Sequence, residues 1–349
     1  MSERFVVPVA PPAPAPVRAD GAEAAAVAAA RSAVEAVIGT VEGHEPPPSV
    51  SAALERAAAA LGAASGHYPS APADPVPAPV VGAEGWKETS HDAFFGIARG
   101  PRPAGSWYGD RLRLFAAIAT QVERGLHDRE TVLAVLRFVR TELDPLPAAE
   151  PGPAPGPGGE PDLSPLAVWR RGHHFLATAC VAACAGIDEL ERGLPAGDLA
   201  RSRADAVRVG TAIRAIAASY AVAGEFTAAT YQAVVRPVMC PPHTPIEMNG
   251  ALNLEYRAYL DRWRAFSALV RSRREDFRPG GWPPPLVLPL ETLFLTAVME
   301  AHAHVTAAWR LVGSGTALHQ HADAAEGGVV VLQHQVAARL ADYREFVGL

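Results

Sequence analysis

The chain has 349 residues, a formal net charge of −6, 49% hydrophobic and 19% charged residues, which is enough to bury a sizeable core in one large domain or two ordinary ones. An acidic balance without a basic block leaves no electrostatic footprint for nucleic acid, and the proline-broken start lacks the apolar run of a signal peptide. No later run reaches membrane-spanning length without Arg, Asp, Glu or Pro, so a soluble, cytoplasmic protein with no membrane partner is expected.

Abundant alanine and only 7% aromatic residues favour helices over strands, because alanine costs no side-chain entropy in a helix. Residues 1–85 read as a Pro/Ala-rich N-terminal extension with two helical patches, Ala22–Ile38 and Val50–Leu61, split by HEPPPS. Proline on both sides predicts short, weakly anchored helices there rather than a core. Residues 86–146 read as a helical N-terminal subdomain, periodic at Arg111–Glu123 and Asp128–Leu143, and 147–161 as a flexible Pro/Gly linker.

The last part, 162–349, reads as the helical catalytic domain. Ser164-Pro165 marks a helix start for a helix to Glu191, since Ser caps and Pro fits the first turn. Helical periodicity follows at Asp198–Ala223, Asn249–Arg274, Leu290–Val312 and Ala322–Phe346. GWPPPLVLPLE is expected to be an extended entry to the fourth of these helices, and Gly313 to end it. No run alternates long enough for a sheet, so the fold class is all-α, a helical bundle with a helical extension.

Three cysteines, Cys180, Cys184 and Cys240, fit neither a disulfide framework nor a zinc site and are expected to be buried helix-face thiols. The twelve histidines carry more information, because they cluster: His173-His174, then His302 and His304, then His319, His321 and His334. In an aliphatic bundle, imidazoles on facing helices are where a metal or heme would sit. Within LETLFLTAVMEAHAHVTAAWRLVG, Glu300 and His304 lie one turn apart on a largely apolar face, so Glu300 or a backbone carbonyl is the expected partner of the second ring nitrogen. His302 belongs to another face. His91, in SHDAFFGIARG, is a marginal candidate expected in a loop. Only one of the 31 basic residues is a lysine, Lys87, so a single arginine argues little by being arginine.

His304, Arg310 and Gly313 followed by GSGT form a pattern that resembles the proximal-heme helix of the tryptophan 2,3-dioxygenase superfamily. Three further stretches are similar in the family's order: Trp169 one turn before His173, the segment EFTAATYQAVVRPVMCPP with Tyr231 near Arg236, and a last helix VLQHQVAARLADYREFVGL. The resemblance, over about 162–349, implies a heme-dioxygenase-type helical fold. It implies heme b with iron ligated by His304, Arg310 as a second cofactor-binding residue, and His173 or His174 as the distal base. It further implies that Arg236 holds the carboxylate of an aromatic amino acid, that Trp169 and Tyr231 wall its ring, and that Thr316 meets its ammonium.

Departures from the pattern refine the expectation. The Thr-Gly-Gly-Ser loop is replaced by SGTALHQH, and the Ser-Gly-Phe-Gln signature by PPHTPIEMNG, which moves the substrate away from tryptophan towards that of the heme-dependent tyrosine and methyltyrosine hydroxylases. Some of these attach heme through a His-x3-Cys pair; here Ala308 stands four beyond His304, so heme is expected to be non-covalent. The resulting expectation is a heme-dependent oxygenase or hydroxylase of bacterial secondary metabolism, using O2 or H2O2 on a tyrosine- or tryptophan-like amino acid, with a homo-oligomer left open. Two alternatives stand beside it: ring cleavage or rearrangement of a tryptophan derivative on the same fold, and a non-enzymatic helical binding or scaffold protein.

Overall fold

The computed structural model describes residues 5–7, 21–44, 46–68, 85–99, 104–125, 127–144, 161–273, 282–313 and 328–348. It divides into two compact units, residues 1–178 with 221–226, and residues 179–220 with 227–349. The division falls inside a helix, at 178/179, whereas composition placed a linker at 147–161, of which 147–160 lie outside the described residues. Both units are built from helices, in agreement with the all-α expectation.

The first unit holds α1 (Ala22–Glu42), α2 (Pro47–Ser65), α3 (Trp86–Phe95), α4 (Ala104–Arg124), α5 (Arg129–Glu142) and the first turns of α6 (Pro165–Ala196). A parallel pair of three-residue strands, β1 (Phe5–Val7) with β2 (Ile97–Arg99), adds a small ladder that sequence alternation did not announce. Three residues are too few for a period of two to show.

The two N-terminal helices correct the expectation of weak anchoring. α1 packs on α2 and α5, and α2 packs on α4. Ala30, Val34 and Val37 of α1 and Ala57 and Leu61 of α2 are fully buried, at the i, i+4, i+7 spacing of a helix stripe. Small residues conceal this stripe in the sequence, because alanine occupies both the buried and the exposed positions. Arg129 donates to the carbonyls of Val41 and Glu42 at 3.0 and 3.1 Å, satisfying the open end of α1, and Arg140 and Arg137 pair with Glu35 and Glu42. α5 starts where its sequence says, with Asp128 accepting from the Thr131 amide at 2.8 Å. Below these helices Phe115, Phe138 and Phe175 meet edge to face at 5.6–6.4 Å between centroids.

The second unit contains the rest of α6, then α7 (Leu199–Ala223) up to Tyr220, the short α8 (Ala228–Thr230), a π-helical turn Tyr231–Val235, α9 (Arg236–Val238), a 3₁₀ turn Gly250–Leu252, α10 (Leu254–Arg273), α11 (Pro284–Val312) and α12 (Gly328–Val347). α11 packs on α12, and Trp263, Phe266, Phe294 and Phe346 form its aromatic core. Gly186 of α6 lets Val209 of α7 come close; a Cβ there would sit 2.6 Å from a Val209 methyl. α11 begins at Pro284, so the segment expected to be extended is its first turns. Pro284 and Pro285 occupy positions whose N–H groups have no helical partner anyway, and Pro289 forfeits one bond only.

Three helical stretches, Ala24–Glu42, Leu199–Ala223 and Pro284–Val312, are long and apolar enough to cross a membrane by length and composition. Their few charges and prolines do not offset the aliphatic content, so helix composition lends no support to the expected absence of a membrane partner.

If α1 and α2 belong to the core, Leu61→Ala lowers the stability of the first unit by about 2–5 kcal/mol, the range for emptying a packed leucine site. Urea unfolding followed by circular dichroism measures this, and a loss below about 0.5 kcal/mol, the surface value, would contradict it.

Candidate functional site

Each unit gathers part of the expected constellation. In the first, Gly172 places α6 directly against the end of α7: a Cβ on it would lie 2.3 Å from that of Ala223. The next two residues are His173 and His174. His174 is buried and its Nε2–H donates to the Phe95 carbonyl at 2.6 Å. Burial lowers its pKa to about 4, with the nearby Arg170 and Arg171 acting in the same sense and the Phe95 bond against it.

His173 is half-buried, with its ring stacked on Phe95 at 4.3 Å and tilted on Trp169 at 4.5 Å. Its Nδ1 lies 2.8 Å from the Trp169 carbonyl. A carbonyl only accepts, so Nδ1 carries the proton and, in the neutral ring, Nε2 carries the lone pair. The two adjacent histidines are thereby differentiated: His174 is tied to backbone in the interior, and His173 stands among aromatic rings with its Nδ1 on a carbonyl of its own helix.

His91 corrects its loop expectation. It lies on α3, is 1% exposed and contacts the same Phe95 ring at 4.6 Å. Its Nδ1 is 3.6 Å from Asp92, whose carboxylate takes two bonds from Arg99, one of them at 2.9 Å. Burial works to raise the Asp92 carboxyl, but His91 and Arg99 together hold it below its ordinary value. The apolar run AFFGI beside the histidine was the signal for an interior helix, and Gly96, in the left-handed region at φ 68°, ends it. Behind this cluster Arg171 donates to Gln121 at 3.1 Å, and Gln121 donates to the Val222 carbonyl at 2.8 Å and to Glu225 at 3.0 Å.

In the second unit, Tyr231 and Arg236 bracket the π-helical turn. Pro237 has no N–H, and the Arg236 amide reaches back five residues to the Tyr231 carbonyl. The widened turn buries Tyr231 completely and leaves Arg236 half-buried, with its guanidinium donating to Gln232 at 3.3 Å. Burial raises the Tyr231 phenol well above its ordinary value, while Arg236 pulls it down. Gln232 also donates to the Leu311 carbonyl at 3.3 Å, next to Arg310, which is exposed on the last turn of α11. Thr316, His319 and His321 lie outside the described residues.

His304 sits on α11 with its Nδ1 buried and, among the described residues, without a hydrogen-bond partner. Burial lowers its pKa to about 4, so the ring is neutral. The expected partner, Glu300, is engaged elsewhere: it accepts from Tyr220 at 2.6 Å, Tyr256 at 3.3 Å and Tyr259 at 3.5 Å. Tyr220 in turn stacks on His304, 4.4 Å between centroids and 12° between planes, and Tyr256 meets the ring edge-on at 5.8 Å. Burial raises the Glu300 carboxyl; Arg339 and the three hydroxyls oppose this. None of these tyrosines was among the residues singled out in the sequence.

A buried imidazole kept neutral has a lone pair to give iron, and a porphyrin, which brings its own four nitrogens, asks the protein for no cluster of ligands. Among the described residues, no group of three or more His, Cys, Asp or Glu is placed to hold a bare metal ion.

Residues 7–279 match the family model described as SfmD 3-methyl-L-tyrosine peroxygenase. The chain belongs to the SfmD peroxygenase family. It is accordingly a heme-dependent oxidoreductase, an oxygenase acting on an aromatic amino acid, and the reading as a non-enzymatic scaffold falls. A solved structure of reduced SfmD, soaked with sodium hydrosulfite, is 21% identical, covering 85% of this chain and 95% of that chain at a TM-score of 0.47. No curated protein matches the chain. The SfmD match begins far upstream of residue 162, where the sequence resemblance started, and so takes in the N-terminal helices and His91. It ends before α11, leaving His304 and Arg310 to be judged on their own geometry.

The refusal of a proton by buried His174 has a pH consequence. Between pH 6.5 and about 4 the unfolded chain protonates this imidazole and the folded chain does not, so stability falls as pH drops through that window. The loss is on the order of 3 kcal/mol. His174→Gln, which keeps a donor for Phe95, should flatten the urea midpoint against pH between 6.5 and 4; an unchanged slope would contradict the buried neutral assignment.

Proposed function

We propose that this protein hydroxylates the ring of a tyrosine-type amino acid such as 3-methyl-L-tyrosine, with hydrogen peroxide as oxygen donor, on a non-covalently held heme b ligated by His304. The observation that carries this reading is the family match over residues 7–279. When bound, the heme supplies the iron at which the oxygen of peroxide is activated for transfer.

The chain's own residues then have separable duties. His304 offers a ring kept neutral by burial, with Ala308 rather than a cysteine four residues on, which leaves no thiol for a thioether at that spacing. Arg310 at the end of the same helix is a cation suited to a heme propionate. Arg236 pairs with the substrate carboxylate, its fork matching the two oxygens. Trp169 in the first unit, Tyr231 in the second, and Thr316, outside the described residues, keep the roles that the sequence resemblance implies, the first two as ring walls and the third towards the ammonium group. His173, with its proton held on Nδ1 by the Trp169 carbonyl, uses Nε2 to take the proton of the phenol hydroxyl, which makes the ring carbon more electron-rich. His174, fixed to Phe95, holds the helix register that presents His173.

The whole reaction balances as substrate plus hydrogen peroxide giving hydroxylated substrate plus water. Heme-loaded protein with 3-methyl-L-tyrosine and ¹⁸O-labelled peroxide should yield a product heavier by one oxygen that carries the label. A gain of two oxygens would favour ring cleavage, and a label-free product under air would favour O2. His173→Ala should lower kcat by roughly 10²-fold with KM little changed; an unaltered kcat would remove it as the base.

A further inference from the structure

We propose that Tyr220 is a positioning residue for His304, and that the Glu300 carboxylate acts on the ligand through this tyrosine and not by a direct hydrogen bond. The inference rests on His304 holding the iron, as proposed above. The torsion that turns an imidazole about its Cβ–Cγ bond is broad, so something must fix the ring plane of a ligand. In most metal-binding histidines a hydrogen bond from the second ring nitrogen to a carboxylate or carbonyl does this. Here Nδ1 has no such acceptor among the described residues.

Aromatic packing takes its place. Tyr220 lies nearly parallel to the imidazole, at 12° and 4.4 Å, and Tyr256 nearly perpendicular, at 87° and 5.8 Å. Two rings at right angles leave the imidazole one comfortable plane. Both tyrosines are themselves anchored on the same oxygen, Glu300 Oε1, at 2.6 and 3.3 Å, and Tyr259 holds Oε2 at 3.5 Å. Glu300 is 1% exposed, one turn before His304 on α11, and its charge is answered by Arg339, which is 6% exposed and lies over Trp263 and Tyr259 at 4.8 and 5.6 Å.

This arrangement has an electronic consequence. A carboxylate that accepts the ligand's N–H makes the imidazole a stronger donor. Glu300 gives its lone pairs to three phenols, so His304 donates as a plain neutral imidazole in a plane set by packing.

Low-temperature EPR of the ferric, heme-loaded full chain reads the ring plane as the width and number of components of the axial-imidazole signal. Tyr220→Leu is expected to convert one narrow component into a broad or split one at unchanged heme content. Tyr220→Phe, which keeps the stack and loses the tether to Glu300, should give a partial broadening, and it serves where the leucine variant does not fold. Wild-type lines in both variants, with His304→Ala losing the imidazole signal, would overturn the positioning role and leave the ligand intact. An imidazole signal that persists in His304→Ala would overturn the ligand assignment and the positioning role with it.

Discussion

A carboxylate withdrawn from water must be given hydrogen bonds and a countercharge, and much of the second unit is arranged around meeting that demand for Glu300. Its three phenolic donors come from α7 and α10, and Arg339 on α12 supplies the opposite charge, so three helices converge on one side chain of α11. Three hydroxyls on one buried carboxyl group tie α7 and α10 to α11, which restrains the cluster. His304, one turn along, inherits that restraint through the Tyr220 ring.

The first unit solves a similar problem with backbone. His174 and His173 each spend one ring nitrogen on a carbonyl, of Phe95 and of Trp169, and the geometry of those bonds settles which proton each ring keeps. Asp92 is neutralised by Arg99, and Arg171 and Gln121 tie α6 to α4 and to the end of α7. The Phe95 ring, between His91 and His173, belongs to a helix of the N-terminal half, which lies within the stretch that the family model covers.

Some of this was legible in the sequence. Asp128 three residues before Thr131, and Ser164 before Pro165, mark helix starts by local chemistry that no tertiary contact has to override, and both helices begin there. The place of His304 on a largely apolar face was also legible, because the face is a property of one helix. What could not be read were pairings across the chain. Glu300 finds its tyrosines 80, 44 and 41 residues away, and nothing in the spacing of Tyr220, Tyr256 and Tyr259 names their acceptor. The helix-local guess, Glu300 with His304, lost to these non-local donors. α1 and α2 were misjudged because a stripe of alanines looks the same buried or exposed, and the start of α11 because three prolines in a row suggest extended chain although two of them fit a first turn.

The central claim is that His304 gives the heme its axial imidazole. Replacing it with glycine and supplying free imidazole tests this most directly, with the absorption and EPR spectra of the heme-loaded chain as the readout. The account predicts that His304→Gly loses the axial-imidazole signature and that added imidazole restores it. A His304→Gly protein whose spectra match those of the unaltered chain before any imidazole is added would contradict it.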